Sequence, residues 1–324
     1  MSRRSSFVSA ILFVLVLSSW TFGQEAWRSS RVDSGGGDLV SVHFTSSSTG
    51  WIAGDNGFLA STRDGGTTWT RVSLGITEDV NEIYFRNERD GYVVAGRKLF
   101  MTSDAGRTWR QITIFDQQEF GRNTPTFLSI RFGDKRRGLA IGSVISPENR
   151  VLESLVMRTD DGGSSWQRVL VPYKSELYHL GFSGNRRAWI AGDNGLIIHS
   201  RDGGLNWQIQ QTGTREPLFA IEFRDSSYGF AVGREGTILR TESGGESWES
   251  IKPHFTDTLM RVAFTDDRNG WAVGHNGSVL RTSDHGRTWV REECEFDGHL
   301  YGLFTNRRMG WAVGKNGTIV QYTR

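Results

Sequence analysis

Apolar residues recur along this chain in short bursts separated by glycine-rich polar turns, and the bursts return in the same order. One burst ends on phenylalanine, as in Leu39-Val40-Ser41-Val42-His43-Phe44. The next reads Gly50-Trp51-Ile52-Ala53-Gly54 and returns at 92–96, 139–142, 189–192, 230–233, 271–274 and 311–314. A third runs over 58–62 and leads into the box Thr62-Arg63-Asp64-Gly65-Gly66-Thr67-Thr68-Trp69, repeated at 102–109, 159–166, 200–207, 241–248 and 282–289. Runs this short, with Asp55-Asn56-Gly57, Asp193-Asn194-Gly195, His275-Asn276-Gly277 or Lys315-Asn316-Gly317 between the second and third, predict strands joined by tight hairpins, because Asn-Gly accepts positive φ. The box tryptophan opens a fourth strand. No stretch carries the period of a long amphipathic helix.

The spacing of these words predicts the architecture. Box tryptophans lie 40 residues apart from Trp69 to Trp109, 57 to Trp166, then 41 each to Trp207, Trp248 and Trp289. A unit of about 40 residues with four short strands is a β-propeller blade, and radial stacking protects the sheet edges. The second-strand word occurs seven times and the box six. Trp27, 42 residues before Trp69, stands where the missing outer strand would be. The expected fold is therefore all-β, a seven-bladed propeller of four-stranded blades over residues 24–324, its ring closed by an N-terminal strand joining the C-terminal blade.

Composition agrees: glycine is 40 of 324 residues, well above the usual ~7%, and is spent on turns. Residues 1–23 read as a signal peptide, with Arg3-Arg4, an apolar run over 7–17 and small residues before a cut after Gly23. A run of eleven residues falls short of the ~20 that span a membrane. The expected product is exported by the general secretory route, periplasmic or lumenal, with no membrane span in the mature chain. Cys294 is the lone cysteine, so internal disulfides play no part. With 38 basic against 36 acidic residues, the balance gives no nucleic-acid signature.

Several residues invite chemical readings. Asp64, Asp104, Asp161, Asp202 and Asp284 recur at one turn position, which suits a carboxylate capping its own turn rather than catalysis; Ser243 replaces the Asp in the fifth box. The box tryptophans read as packing between blades. Three turns between first and second strands are basic: Lys135-Arg136-Arg137, Arg186-Arg187 and Arg307-Arg308. Those of blades three and four should form a contiguous edge suited to an acidic peptide or headgroup. Blade three carries extra residues around 115–125 and 143–153, expected as neighbouring loops on the opposite face, with Phe115, Phe120 and Tyr173 offering apolar contact. Finally, the first strands carry one polar residue per blade, His43, Glu82, Arg131, His179, Glu222 and Arg261, alternately one and three residues before the last Phe. All six share the face opposite the apolar set and are expected as a satisfied belt near the central channel.

The box is the Asp-box, or bacterial neuraminidase repeat. Combined with the Gly-Trp-Ala-Val-Gly strands it resembles the photosystem II stability and assembly factor family over about residues 24–324. The resemblance implies a seven-bladed propeller acting as a monomeric, non-enzymatic scaffold, without cofactor or metal, that binds a protein partner such as a membrane-complex subunit or its acidic tail. The chain departs from that family in having neither a lipobox cysteine nor a plastid transit peptide. The competing class is a carbohydrate-binding or sialidase-like glycosidase, for which Glu82 and Glu222 would be the paired carboxylates; the Arg-Ile-Pro motif of sialidases is absent.

Overall fold

The computed structural model describes residues 26–323 except 253, 295 and 308. The proposed signal peptide and Arg308 lie outside the described residues. Among those described, the strands form seven four-stranded antiparallel sheets. Six are runs of consecutive strands, beginning with the blade that opens at Leu39–Phe44, here called blade one. The seventh adds Ala26–Arg31 to the outer side of Thr318–Thr323, with Trp27 opposite Tyr322 and Arg31 opposite Thr318. The first strand of the chain thus completes the last blade and closes the ring.

Packing explains the repeated words. A Cβ on Gly50 would meet the Phe44 ring at 2.5 Å, and one on Gly54 would lie 1.9 Å from the Asp38 carbonyl oxygen. The same two approaches return in blade six, where Gly270 faces Phe264 and Gly274 faces the Thr258 carbonyl. In blades one, three, five and six a ring crosses the start of the second strand and the incoming chain crosses its end, so neither site has room for a side chain. At the hairpin beyond, Asn56 and Gly57 take φ of 55° and 66°, the left-handed pair that Asn-Gly supplies cheaply.

All five residues of Gly50–Gly54 are buried, because neighbouring blades cover both faces. Alternation sends Trp51 and Ala53 toward Val80, Ile83 and Phe85 of blade two, and Ile52 toward Trp311 and Val313 of blade seven. Second-strand aromatics stack on the next blade's first-strand Phe: Trp311 on Phe44 at 3.8 Å, Trp51 on Phe85 at 4.1 Å, Trp189 on Phe223 at 3.6 Å. These second-strand rings, rather than the box tryptophans, fill the centre of the blade interfaces. Trp69, Trp109, Trp166, Trp207 and Trp248 are only half-buried. Trp69, Trp109, Trp166 and Trp248 stand edge-on to the first-strand phenylalanine of their own blades, as Trp69 does to Phe44 at 6.1 Å, because the box lies toward the rim; Trp289, edge-on to Phe264 and 8% exposed, sits deepest of the six.

The box carboxylates are consumed locally. Asp64 Oδ1 accepts from Thr62 Oγ1 at 2.7 Å and from the Thr68 amide at 2.9 Å, and Oδ2 accepts from Thr68 Oγ1 at 2.5 Å. In the fifth box Ser243 Oγ accepts the Ser247 amide at 3.0 Å.

Blade three differs from the expectation of added loops. The second addition and the last residues of the first lengthen the paired strands, while 115–123 stay a connection: Thr124–Phe132 and Gly138–Ile145 pair from Phe132↔Gly138 out to Thr124↔Ile145, and the latter strand pairs on to Val151. Phe120 ends a short 3-10 helix, Gln117–Phe120, and is 4% exposed, edge-on to a partly buried Phe115 at 5.7 Å. Tyr173 is partly buried against the blade-four core. These aromatics cover the lengthened blade instead of standing free, since paired strands leave an apolar face that must be closed.

Candidate functional site: a basic turn pair and a charged channel

Each first-to-second turn is hydrogen-bonded to its own blade's box, the Gly162 amide to Arg136 O and the Gly203 amide to Arg186 O, both at 2.8 Å. Basic turns and boxes therefore share one face of the ring. Asp134 stitches the first two basic turns together. Its Oδ1 accepts the Arg137 and Arg136 amides at 2.7 Å, and these bonds, with a lesser one from the side chain of Asn185, hold the carboxyl below the ordinary carboxylate range. Arg136 Nε donates to Asp160 O at 3.0 Å, Arg137 lies 3.6 Å from the Asp160 carboxylate, and Arg187 Nη1 donates to Ser226 O at 2.9 Å. Lys135 and Arg186 are exposed. Lys135 through Arg137 and Arg186-Arg187 thus form one patch, with Arg137 partly neutralised. Arg307 is exposed in blade seven, on the far side of the ring, and does not join it.

The six first-strand polar residues line one cavity of about 210 Å³ along the axis. Pairing with the second strands resolves them into two tiers. Glu82, His179 and Arg261 lie opposite Val94, Ala191 and Val273. His43, Arg131 and Glu222 lie two residues further along, opposite Trp51, Leu139 and Phe230. Blades three to six each pair a large residue in one tier with a small one in the other: Ser129 with Arg131, Gly181 with His179, Ala220 with Glu222, Ala263 with Arg261. This is the steric origin of the alternation. The channel also contains Tyr84 and Phe304, which the sequence reading missed. Tyr84 stands one residue before its Phe like His43, but blade two already had Glu82 as its polar residue. Blade seven has Thr305 where the guiding Phe would be.

Arg131 is fully used. Its Nη1 lies 2.6 Å from Glu82 and donates to Ile130 O at 2.8 Å; Nη2 meets His179 Nε2 at 3.2 Å, and the guanidinium sits 4.8 Å over Tyr84. Glu82 Oε2 accepts the Ile130 amide at 2.8 Å, so both its oxygens are engaged and it is poorly placed as a free acid or base. His179 Nδ1 lies 3.0 Å from Ile221 O, which assigns the proton to Nδ1 and leaves Nε2 to accept from Arg131. Burial first, and then the Arg131 and Arg261 charges, hold His179 well below its ordinary pKa. Burial and Arg131 lower His43 to about 3. Glu222 moves the other way, pushed up to about 7 by burial against the opposing pull of Arg131. Burial also lowers Arg261, partly offset by Glu82. Both carboxylates line the channel as the glycosidase reading requires, yet they differ in state, one tied and one half-protonated near neutrality.

These features define a class: a closed seven-bladed propeller of Asp-box repeats whose box carboxylates serve the scaffold and whose remaining charge is displayed on one face and along the axis. The family model described as photosynthesis system II assembly factor YCF48 matches residues 20–122, 118–214 and 252–323, and the chain belongs to that family. It is 26% identical over 201 residues to the photosystem II assembly lipoprotein Ycf48 of Synechococcus sp. (strain CC9902), a match covering 57% of this chain and 55% of that relative. The chain thus aligns with just over half the length of that curated relative. Among solved structures, YCF48 bound to a D1 peptide superposes with a TM-score of 0.75 at 19% identity, over 93% of this chain and 96% of that one. YCF48 from Cyanidioschyzon merolae does so with 0.73 at 19% identity, over 92% and 99%. A virginiamycin B lyase from Staphylococcus aureus reaches 0.73 at 11% identity, over 92% and 99%. At such identities the superpositions speak for the fold alone.

Proposed function

We propose that the protein is an exported, non-enzymatic binding scaffold that assists the assembly or stability of a membrane protein complex by holding an acidic segment of one of its subunits. Membership of the assembly-factor family supports the role, and a related propeller with a D1 peptide bound supports a polypeptide as partner. A lipoprotein among the relatives accords with export. Among the described residues no helix is long and apolar enough to cross a membrane, so contact with the complex falls to surfaces of the propeller. The observation that carries the reading is the patch formed by the turns at Lys135 to Arg137 and Arg186-Arg187, fixed in register through Asp134 and the boxes. A rigid display of guanidinium groups suits carboxylates, which Arg binds through paired N–H donors.

Replacing Arg136, Arg137, Arg186 and Arg187 together by Ala should weaken capture of the partner from solubilised membranes. At about 0.2–1 kcal/mol for each of the four contacts, the loss lies between roughly fourfold and several hundredfold and shrinks with added salt. The pair Lys135→Ala and Arg186→Ala, whose side chains make no bonds within the fold among the described residues, guards against a folding artefact. Undiminished capture by both variants would remove this surface from the mechanism.

A further inference from the structure

Two channel groups are left over by the scaffold. Arg261 Nη1 donates to the carbonyl oxygens of Met260 at 2.8 Å and Phe219 at 3.4 Å, and no carboxylate of the described residues lies within ion-pair distance of it. Glu222 has no hydrogen-bond or ion-pair partner among them either. Arg131, by contrast, has Glu82, His179 and a backbone carbonyl. The charge sum in the channel follows. Arg131 and Glu82 cancel, and His43 and His179 stay neutral because burial disfavours their charged forms. When Glu222 is protonated, Arg261 stands in a confined cavity without a counter-charge. When Glu222 is ionised, the channel balances itself.

We infer that the channel binds one short aliphatic carboxylate, taken up at Arg261 and admitted when Glu222 is protonated. The cavity's size limits the guest. About 210 Å³ holds roughly seven waters at ~30 Å³ each, enough for an acetate-sized anion with some hydration and too little for a folded segment. Its walls match the guest's two ends: the Tyr84 and Phe304 rings offer apolar surface, and Arg261 supplies planar N–H donors. The carboxylate belongs either to a free small acid or to the end of a polypeptide entering single file. This site lies on the axis and does not depend on the basic turns or on the partner proposed for them.

Proton linkage sets how affinity responds to pH. The titratable and charged groups facing Glu222 across the cavity are His43 from blade one, Glu82 and Tyr84 from blade two, Arg131 from blade three, His179 from blade four and Arg261 from blade six; blade seven brings Gly302, Leu303 and Phe304. Among the shifted groups, Glu222 is the one brought to about 7. If only the form with Glu222 protonated takes the anion, the competent fraction, and with it the apparent affinity, falls about tenfold between pH 6 and pH 8.

Calorimetry and NMR titration with acetate test this on the whole protein. Saturable binding at pH 6 that weakens about tenfold at pH 8 is expected, lost in Arg261→Gln and made independent of pH in Glu222→Gln. A short N-acetylated peptide with a free C-terminus, set against its amide, separates the two sources. Acid-specific peptide binding extends the guest to chain ends, and exclusion of both peptides with acetate retained restricts it to free acids; either upholds the site. Absence of saturable binding by acetate and the acid peptide at pH 6, equal binding by a folded Arg261→Gln, or unchanged pH dependence in Glu222→Gln would each overturn it. Thermal melts confirm that the variants remain folded.

Discussion

Ring closure is the feature of this propeller whose energetic weight is most directly measurable, and Trp27 is the residue to remove. It is 2% exposed, edge-on to Trp271 of blade six at 5.1 Å and 5.4 Å from Tyr322 within its own blade. Trp27→Ala deletes a ring packed against both, and truncations of this kind in a packed interior cost about 3–5 kcal/mol. Against a urea m-value of about 3 kcal/mol/M for a chain at the upper end of the usual range, the midpoint should fall by about 1 M or more. Arg28→Ala is the control: Arg28 is exposed on the same strand, and such surface changes stay within about 0.5 kcal/mol. Deleting 26–31 should do more. It removes the six register pairs from Ala26↔Thr323 to Arg31↔Thr318 and bares Thr318–Thr323 as an unpaired edge. Because blade seven alone is built from both ends of the described chain, the opened ring should also expose Trp271, visible in fluorescence. A Trp27→Ala midpoint indistinguishable from that of Arg28→Ala, or a truncated chain that unfolds with the full one, would refute the closure argument.

The channel and the boxes make further predictions. Glu82→Ala should destabilise by about 3–5 kcal/mol, since it strands the Arg131 guanidinium and orphans the Ile130 amide, whereas Arg261→Gln should be neutral or stabilising because it removes a cation held by backbone carbonyls with no carboxylate at ion-pair distance; urea midpoints of equal loss for the two would contradict this. Asp64, Asp104 and Asp161 are lowered to about 2, first by the hydroxyls of Thr68, Thr108 and Ser165 and then by their backbone N–H groups. Their folded pKa values lie below the unfolded ones, so their contribution is complete above the ordinary carboxylate range and is lost as pH falls through about 2. Asp161→Ser, which copies the fifth box, should therefore flatten the fall in urea midpoint between pH 4 and pH 2, and an unchanged slope would show that the boxes do not govern acid unfolding.

How much of this was legible in the sequence depended on whether a feature was repeated or solitary. The blade count, the hairpins and the role of Trp27 came from spacing, because each blade must solve the same steric problem and so reuses the same residues, glycine under the Phe44 ring and glycine under the Asp38 carbonyl. Spacing is silent on depth. It could not tell that Trp51 and Trp189 lie at the centre of the blade interfaces while Trp69 and Trp109 lie at the rim, since both sets recur with the same period. Nor could it tell that the added residues of blade three would pair. Unpatterned insertions look like loops until Thr124 is found opposite Ile145, and Phe120 looks exposed until the lengthened sheet needs covering.

The channel was half legible for a different reason. Alternation placed six polar side chains on the inner face, and they do line one cavity. What alternation hides is height along the axis. A bulge between Leu39 and Ser41, repeated between Leu259 and Arg261 and between Leu300 and Gly302, sets the register in which each first strand enters the ring. The skipped residues, Val40, Met260 and Tyr301, each follow a leucine, and such a pair reads as ordinary strand sequence until the pairing is known. Once that register is known, a large side chain in one tier meets a small one in the other in blades three to six, blade two carries Glu82 and Tyr84 together, and the channel fills with unlike residues instead of a repeated one. That heterogeneity is what lets Arg131 be saturated while Arg261 is left over. A strictly repeated belt would place like charges around a common axis and repel itself, so recognition in the channel can arise only where the blades differ.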